Sequence, residues 1–513
     1  MSRKSIISGA IILTVAGIIT RLLGFVYRVF LSNAIGAEGM GLYQLIMPVY
    51  ALAWSIACSG FTTTISKLTA QENAKGEYGN IKRLLWQAVA ITTSIGVIIS
   101  FVLYVFAEPI AVSIFRDMRA VMPIQILSFA IPFMAFGSCL RGYFFGLQET
   151  MIPAINQVFE QTVRMAVVFL LAGFFIPLGL EYAAALAVIG IVAEEAVSLL
   201  YIITAYKRHK KKIPVFTKKS APSISFSKSF MLLCGMALPL TATRVAGSLL
   251  GTFENFLIPR RLELYGMTSS EAISTFGQIS GMAMPLIYFP SAFLTSLAIS
   301  LIPAVSEATA IKNFNRIKYT ASRSMLFASV IGFCAAAVFI TFSSELGEVI
   351  YSQDIREMLI LLGIMSPFLY MQVVLAGILN GLGCQVFIFR NSLISSVINI
   401  AFVYFLVPQY GINAFILGWF VSLIVTCWFE INKLGEMVKL TFEFKNWFVK
   451  PVFAAIIASL AVKILEDSII TPMLGQVLGL AVSIVLLACI YLVFILLTGC
   501  LRKEDITSVL RFR

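Results

Sequence analysis

Long apolar runs, separated by short polar stretches, recur from one end of the chain to the other. A helix that crosses a bilayer needs about 20 mostly apolar residues. About fourteen segments meet that requirement, from 5–31 and 41–66 at the start to 449–465 and 474–499 at the end. The pattern predicts an all-α polytopic membrane protein. Composition agrees: 59% of the 513 residues are hydrophobic and 12% are charged, whereas a soluble domain carries about 25% charged residues. Arg3 and Lys4 precede an apolar stretch that runs to about Leu31, too long for the core of a cleaved signal and without an A-x-A site, so it reads as a retained first helix.

The net charge of +13 would suggest nucleic acid in a soluble chain, but here the charges must first be sorted by membrane side. With the N-terminus inside, 27 of the 38 Lys and Arg fall on the cytoplasmic face and five on the other: Arg116, Arg119, Arg260, Arg261 and Arg356. The positive-inside rule then puts both termini in the cytoplasm, and the basic charge reports topology with no nucleic-acid partner implied. The basic stretch Lys207-Arg208-His209-Lys210-Lys211-Lys212, followed by Lys218, Lys219 and Lys228, reads as a cytoplasmic linker that is solvated or touches anionic headgroups. The eight cysteines lie in or at the end of apolar runs without C-x-x-C spacing, which reads as packing rather than redox or metal chemistry. With one histidine, no metal site or cofactor is expected.

The halves on either side of the linker match. Pro132-Phe133, Gly142 and Gly146-Leu147 recur as Pro367-Phe368, Gly377 and Gly381-Leu382 at a constant offset of 235, and Glu72 matches Glu307 at the same offset. Leu22-Leu23-Gly24 matches Leu249-Leu250-Gly251 at 227. This predicts an N-terminal six-helix lobe at 1–205, the linker at 206–228, a second six-helix lobe at 229–433, and two extra helices with a tail at 434–513. Two such lobes in one chain are the pattern of a parallel-repeat transporter, with a site expected between them near the midplane.

A charge at the bilayer centre costs on the order of 3 kcal/mol or more, so each one calls for a cavity or a partner. On the first helix, Gly17, Arg21, Gly24 and Arg28 form one stripe at i, i+4, i+7 and i+11, which sets the arginines about 10 Å apart along the axis. Guanidinium groups offer planar forks of donors suited to phosphate. The plainer reading pairs Arg21 with a buried carboxylate such as Glu254 and lets Arg28 reach the outer headgroups. Arg244, Ser248, Gly251 and Asn255 repeat the spacing on the seventh helix. Glu160 and Arg164 are spaced for an i, i+4 ion pair. Glu194 and Glu195 lie about 100° apart on one helix, so at most one faces a given cavity, where it could take a proton or a cation. Arg141 and Glu430 lie toward cytoplasmic ends and read as snorkelling side chains.

Arg21-Leu22-Leu23-Gly24-Phe25, followed by Gly36-Ala37-Glu38-Gly39 and Gly41-Leu42-Tyr43-Gln44, resembles the N-terminus of the polysaccharide-exporter and lipid II flippase proteins of the multidrug/oligosaccharidyl-lipid/polysaccharide superfamily. The resemblance extends over nearly the whole chain. It implies a non-enzymatic transporter that flips an undecaprenyl-diphosphate-linked saccharide, lipid II or a spore-cortex precursor, by alternating access. It also implies placement in the cytoplasmic or forespore-surrounding membrane, and membrane lipids and the peptidoglycan polymerase machinery as partners. By that resemblance Arg21 would engage the diphosphate; the family's second helix-one arginine falls at Tyr27 here, one residue before Arg28, and its basic positions in the second helix are occupied by Tyr50 to Ala53. The residues also allow a multidrug or cation antiporter on the same architecture, which the acids Glu194, Glu195 and Glu254 favour and the arginine stripes disfavour. A membrane glycosyltransferase or polymerase would need larger outer loops.

Overall fold

The computed structural model describes residues 3–212, 222–439 and 443–500, with side chains from residue 12 and without those of 210–212. The side chains of Lys210 to Lys212, with Lys218, Lys219 and the basic tail, therefore lie outside the described residues. Among these residues the ordered elements are helices. The longer ones are α1 (Arg3–Trp54), α2 (Gly60–Lys75), α3 (Tyr78–Val105), α4 (Ala130–Gly146), α5 (Met151–Phe175), α6 (Leu180–Lys212) and α7 (Phe226–Leu264). They continue as α8 (Met284–Ala310), α9 (Phe314–Thr341), α10 (Arg356–Gly381), α11 (Gln385–Phe405), α12 (Ile412–Val438), α13 (Lys450–Leu465) and α14 (Thr471–Leu497).

Twelve helical stretches among the described residues are long and apolar enough to cross a membrane, against about fourteen expected from the sequence. The difference lies in the first and last of them. The expected gap between 31 and 41 is helical, so α1, a wider π-type turn at Ser55–Ser59 and α2 form one 64-residue stretch from Ile12 to Lys75. Its helical geometry breaks once, at Gly36, where φ is 70° and ψ is −179°. That conformation is open to glycine and costly for a residue with a Cβ. Gly475 (φ 75°, ψ 174°) interrupts the 53-residue stretch from Lys445 to Leu497 in the same way.

The chain divides into two compact units, Met1–Pro259 and Arg260–Arg513, with the boundary inside α7. In the first unit α2 and α3 pack on α4, and α6 packs on α4 and α5; in the second, α8 and α9 pack on α10, and α12 packs on α10 and α11. The same four pairings thus occur twice. The repeated glycines explain two of them. A Cβ on Gly142 would lie 2.6 Å from the carbonyl oxygen of Thr62 on α2, and a Cβ on Gly377 would lie 2.8 Å from the carbonyl oxygen of Ala298 on α8. Backbone fills the space in both cases and cannot swing away as a side chain would. Gly377→Val is therefore expected to cost about 1–3 kcal/mol through overpacking, read as a lower unfolding midpoint of the purified protein; an unchanged midpoint would show that α8 and α10 do not meet this closely.

Candidate functional site

The charged residues inside the first unit are placed by three helices that pack together. α5 contributes Asn156, Glu160, Gln161 and Arg164, spaced at roughly one helical turn; α6 contributes Glu194, Glu195 and Ser198; α4 contributes Arg141. Glu160 and Arg164 do not pair with each other as their spacing suggests. Each finds its partner on another helix, because the face of α5 that carries them is packed against α4 and α6 and ionic groups on those helices lie closer. Arg141 Nη1 donates to Glu160 Oε1 at 2.7 Å and to Ser198 Oγ at 3.2 Å. Asn156 Nδ2 donates to the same carboxylate oxygen at 2.7 Å and to Ser198 at 2.9 Å. Arg164 grips Glu194 with two donors, Nε to Oε2 at 2.7 Å and Nη2 to Oε1.

Glu195 is the third carboxylate of this region, within electrostatic reach of Arg141 and Arg164 but paired with neither. Its Oε1 accepts from the hydroxyl of Tyr50 on α1 at 2.6 Å, and its Oε2 is buried without a hydrogen-bond partner. Glu194 and Glu195 are both buried, at 4% and 8% exposure. The adjacent acids point to different partners, Arg164 and Tyr50, within one packed region. Arg141 is likewise no snorkelling side chain, since its hydrogen bonds run to α5 and α6. On the α1 side of this region the hydroxyl of Tyr27 and the Nε2 of Gln161 are buried without a partner, and Arg28 and Arg164 both lie within electrostatic reach of Tyr27.

The two predicted stripes are less enclosed. Arg21 is exposed and Arg28 half-buried on α1, which packs on α5 and α6. A Cβ on Gly24 would come only within 3.9 Å of Gln161, and one on Gly17 or Gly251 would meet nothing within 4 Å. These glycines therefore do not serve a close helix contact among the described residues. Arg244 is exposed on α7 and donates to the carbonyl oxygen of Ser59 at 3.1 Å and to Thr63 Oγ1 at 3.3 Å, with its guanidinium 5.9 Å from the centre of the Trp54 ring. Asn255 donates to the carbonyl of Gly251, one turn back on its own helix, at 2.7 Å. Ser248 and Glu254 are half-buried. Together, α1 and the α4–α6 packing gather Arg28, Arg141 and Arg164 near Glu160, Glu194 and Glu195, while Arg244 sits against the α1–α2 junction.

Sequence reasoning missed Tyr50, Asn156 and Ser198 as members of this network and read Arg141 and Glu430 as edge residues. Glu430 is 3% exposed and accepts from Asn391 Nδ2 at 3.1 Å. The offset of 235 was a signal that could have found part of this, because it maps Asn156 onto Asn391 and Glu195 onto Glu430.

Comparison with known proteins places these features in a family. Residues 6–309 match the family model described as "Polysaccharide biosynthesis protein", and 265–405 match the MatE model. Stage V sporulation protein B of Bacillus subtilis (strain 168) is 30% identical over 515 residues, covering 99% of this chain and 98% of that protein. Lipid II flippase MurJ of the same strain is 27% identical over 349 residues, covering 63% of this chain and 62% of MurJ. Among solved structures, lipid II flippase MurJ in an inward closed conformation aligns with a TM-score of 0.70 at 15% identity, over 95% of this chain and 98% of that one. An inward-facing multidrug resistance MATE family transporter of the MOP superfamily aligns at 0.65 and 14%, over 84% of this chain and all of that one. At these identities the structures establish the fold alone, that of MOP-superfamily transporters. With a family model matched over more than half of its length and a relative at 30% identity along nearly all of it, this multi-pass membrane chain belongs to the polysaccharide biosynthesis protein family.

Proposed function

We propose that the chain flips an undecaprenyl-diphosphate-linked saccharide, lipid II or a related spore-cortex precursor, from the cytoplasmic to the outer leaflet by alternating access. The observation that carries this reading is the pair Arg21 and Arg28 on α1, one exposed and one half-buried, set among the apolar residues Leu22, Leu23, Phe25 and Val26. A diphosphate carries negative charge that must be neutralised to cross a low-dielectric region, and guanidinium forks do so with directional hydrogen bonds. Arg244, Ser248 and Asn255 on α7 are the next candidates for headgroup contact. The kinship with Stage V sporulation protein B and with lipid II flippase MurJ supports the substrate class. The positive-inside count supports cytoplasmic termini, the sporulation relative supports a membrane around the forespore, and the peptidoglycan polymerase machinery would consume the product.

Expression in cells depleted of their own flippase tests the proposal. Outer-leaflet exposure of lipid II is expected to be restored by the intact protein and lost in Arg21→Ala at equal membrane abundance. No restoration by the correctly inserted intact protein would redirect the search to another polyprenyl-linked saccharide or to cation-coupled export, the reading that the buried acids Glu194 and Glu195 favour.

A further inference from the structure

At the start of α3 the first unit carries a groove that lies apart from the charged network. It holds about 570 Å³ between α3 and the chain entering α7, and its lining includes Lys82, Arg83, Trp86, Ala90, Phe226 and Phe230. The α7 side of the groove is tied to α3 by hydrogen bonds. Asn80 Nδ2 donates to Ser223 Oγ at 2.9 Å, and Asn80 Oδ1 accepts from the Ile224 amide at 3.2 Å. Gln87 Nε2 donates to the Phe226 carbonyl at 3.1 Å, and Arg83 Nη1 donates to the Ile224 carbonyl. Lys82, Trp86 and Ala90 follow one another at one-turn spacing, so over about 12 Å of α3 the groove changes from cationic to aromatic to aliphatic. Neither Lys82 nor Arg83 forms an ion pair among the described residues.

The internal repeat shows the same helix face covered in the other unit. At the offset of 235, Lys82, Trp86 and Ala90 correspond to Ile317, Ala321 and Met325 of α9. Those three are 1%, 0% and 0% exposed, and α13 and the turn Lys445–Val449 pack on α9. In the first unit Lys82 and Ala90 are exposed and Trp86 is 42% exposed, as are Phe226 and Phe230 at 67% and 46%. The face of α3 is thus left open by the described residues, with a cation where the second unit has an isoleucine. Its occupant must match a charged end and an apolar end at once. The positive-inside count puts this end of α3 at the cytoplasmic surface, where anionic headgroups gather. A phosphate there gains from both cations and from the positive end of the α3 dipole, while an acyl chain covers Trp86, Ala90, Phe226 and Phe230.

We infer that this groove holds one anionic glycerophospholipid, with its phosphate on Lys82 and Arg83 and an acyl chain between α3 and the start of α7. The lipid is a resident ligand and not the cargo, so the inference does not depend on what the chain transports, and binding is read without transport. The test uses purified full-length protein in detergent, titrated with phosphatidylglycerol or with phosphatidylcholine of the same chains, and bound lipid is counted by native mass spectrometry. One phosphatidylglycerol is expected to be retained in preference to phosphatidylcholine. Lys82→Gln is expected to weaken that binding about fivefold, the worth of one basic residue near a lipid surface, and Ala90→Trp to abolish it by filling the apolar half with the charges intact. Lys228→Gln removes a nearby exposed cation outside the groove lining and is expected to change nothing. Equal retention of the two lipids overturns the inference, as does equal weakening by Lys82→Gln and Lys228→Gln. A rise in unfolding midpoint with inorganic phosphate that matches the rise with phosphatidylglycerol identifies a free-anion site and overturns it too. If Ala90→Trp fails to fold, the lipid preference of the intact protein and the Lys82→Gln titration still decide.

Discussion

Arg164→Ala is expected to destabilise the protein by about 3 kcal/mol, near the lower end of what breaking a buried ion pair costs. Arg164 is 23% exposed at the side chain and Glu194 is 5% exposed, so removing the guanidinium leaves Glu194 desolvated with its charge unanswered. It also leaves three neighbouring carboxylates, Glu160, Glu194 and Glu195, with Arg141, which pairs with Glu160, as the remaining guanidinium among them. Adding Glu194→Gln to Arg164→Ala is expected to recover a large part of the loss, because the orphaned charge goes with it. A double-mutant cycle on the unfolding free energy of purified protein measures this coupling. Single and double variants whose losses simply add would show that the two groups do not interact. The same logic predicts a smaller effect for Glu195→Gln, whose carboxylate is held by one tyrosine hydroxyl and no direct ion pair.

The second large effect concerns transport. Arg21→Ala is expected to reduce outer-leaflet delivery of the lipid-linked saccharide at least tenfold without lowering membrane abundance, since a tenfold change corresponds to about 1.4 kcal/mol and a hydrogen bond to a charged group contributes about 1.5–3 kcal/mol. Arg21→Lys is expected to fall between, keeping the charge and losing the planar fork. Arg28→Ala is expected to lose less than Arg21→Ala, because Arg28 is half-buried beside the α1–α5–α6 region whereas Arg21 is exposed. Equal transport by the alanine and lysine variants of Arg21 would point to a role other than recognising phosphate, and normal transport by Arg21→Ala would remove α1 from the proposed site.

Much of the architecture was legible because it follows from one physical requirement, that backbone polar groups in lipid satisfy themselves within helices. That requirement writes itself into long apolar runs, and the repeat into glycines whose spacing survives because helix backbones meet there. Gly36 shows where such reading stops: nothing in the residues around it says that the helix resumes immediately after a single left-handed residue instead of entering a loop. The ionic network shows a second limit. Spacing along α5 suggested Glu160 with Arg164, yet the partners chosen, Arg141 and Glu194, lie 19 and 30 residues away along the chain and are brought near only by packing. Local periodicity tells which side chains share a face, not which neighbouring helix that face will meet. Glu430 failed for a related reason, since distance from a predicted helix end says little about burial when an adjoining helix covers the position.

Gly142 and Gly377 stand at equivalent contacts in chemically different surroundings, one unit carrying two half-buried, ion-paired arginines and the other none at the matching positions. Each half can therefore serve as the internal control for the other. Introducing the same bulky residue first at one position and then at its counterpart poses an identical steric question twice within a single polypeptide. Whatever difference remains between the two answers reports how much give each half has, and hence which of them can deform while the other holds its shape.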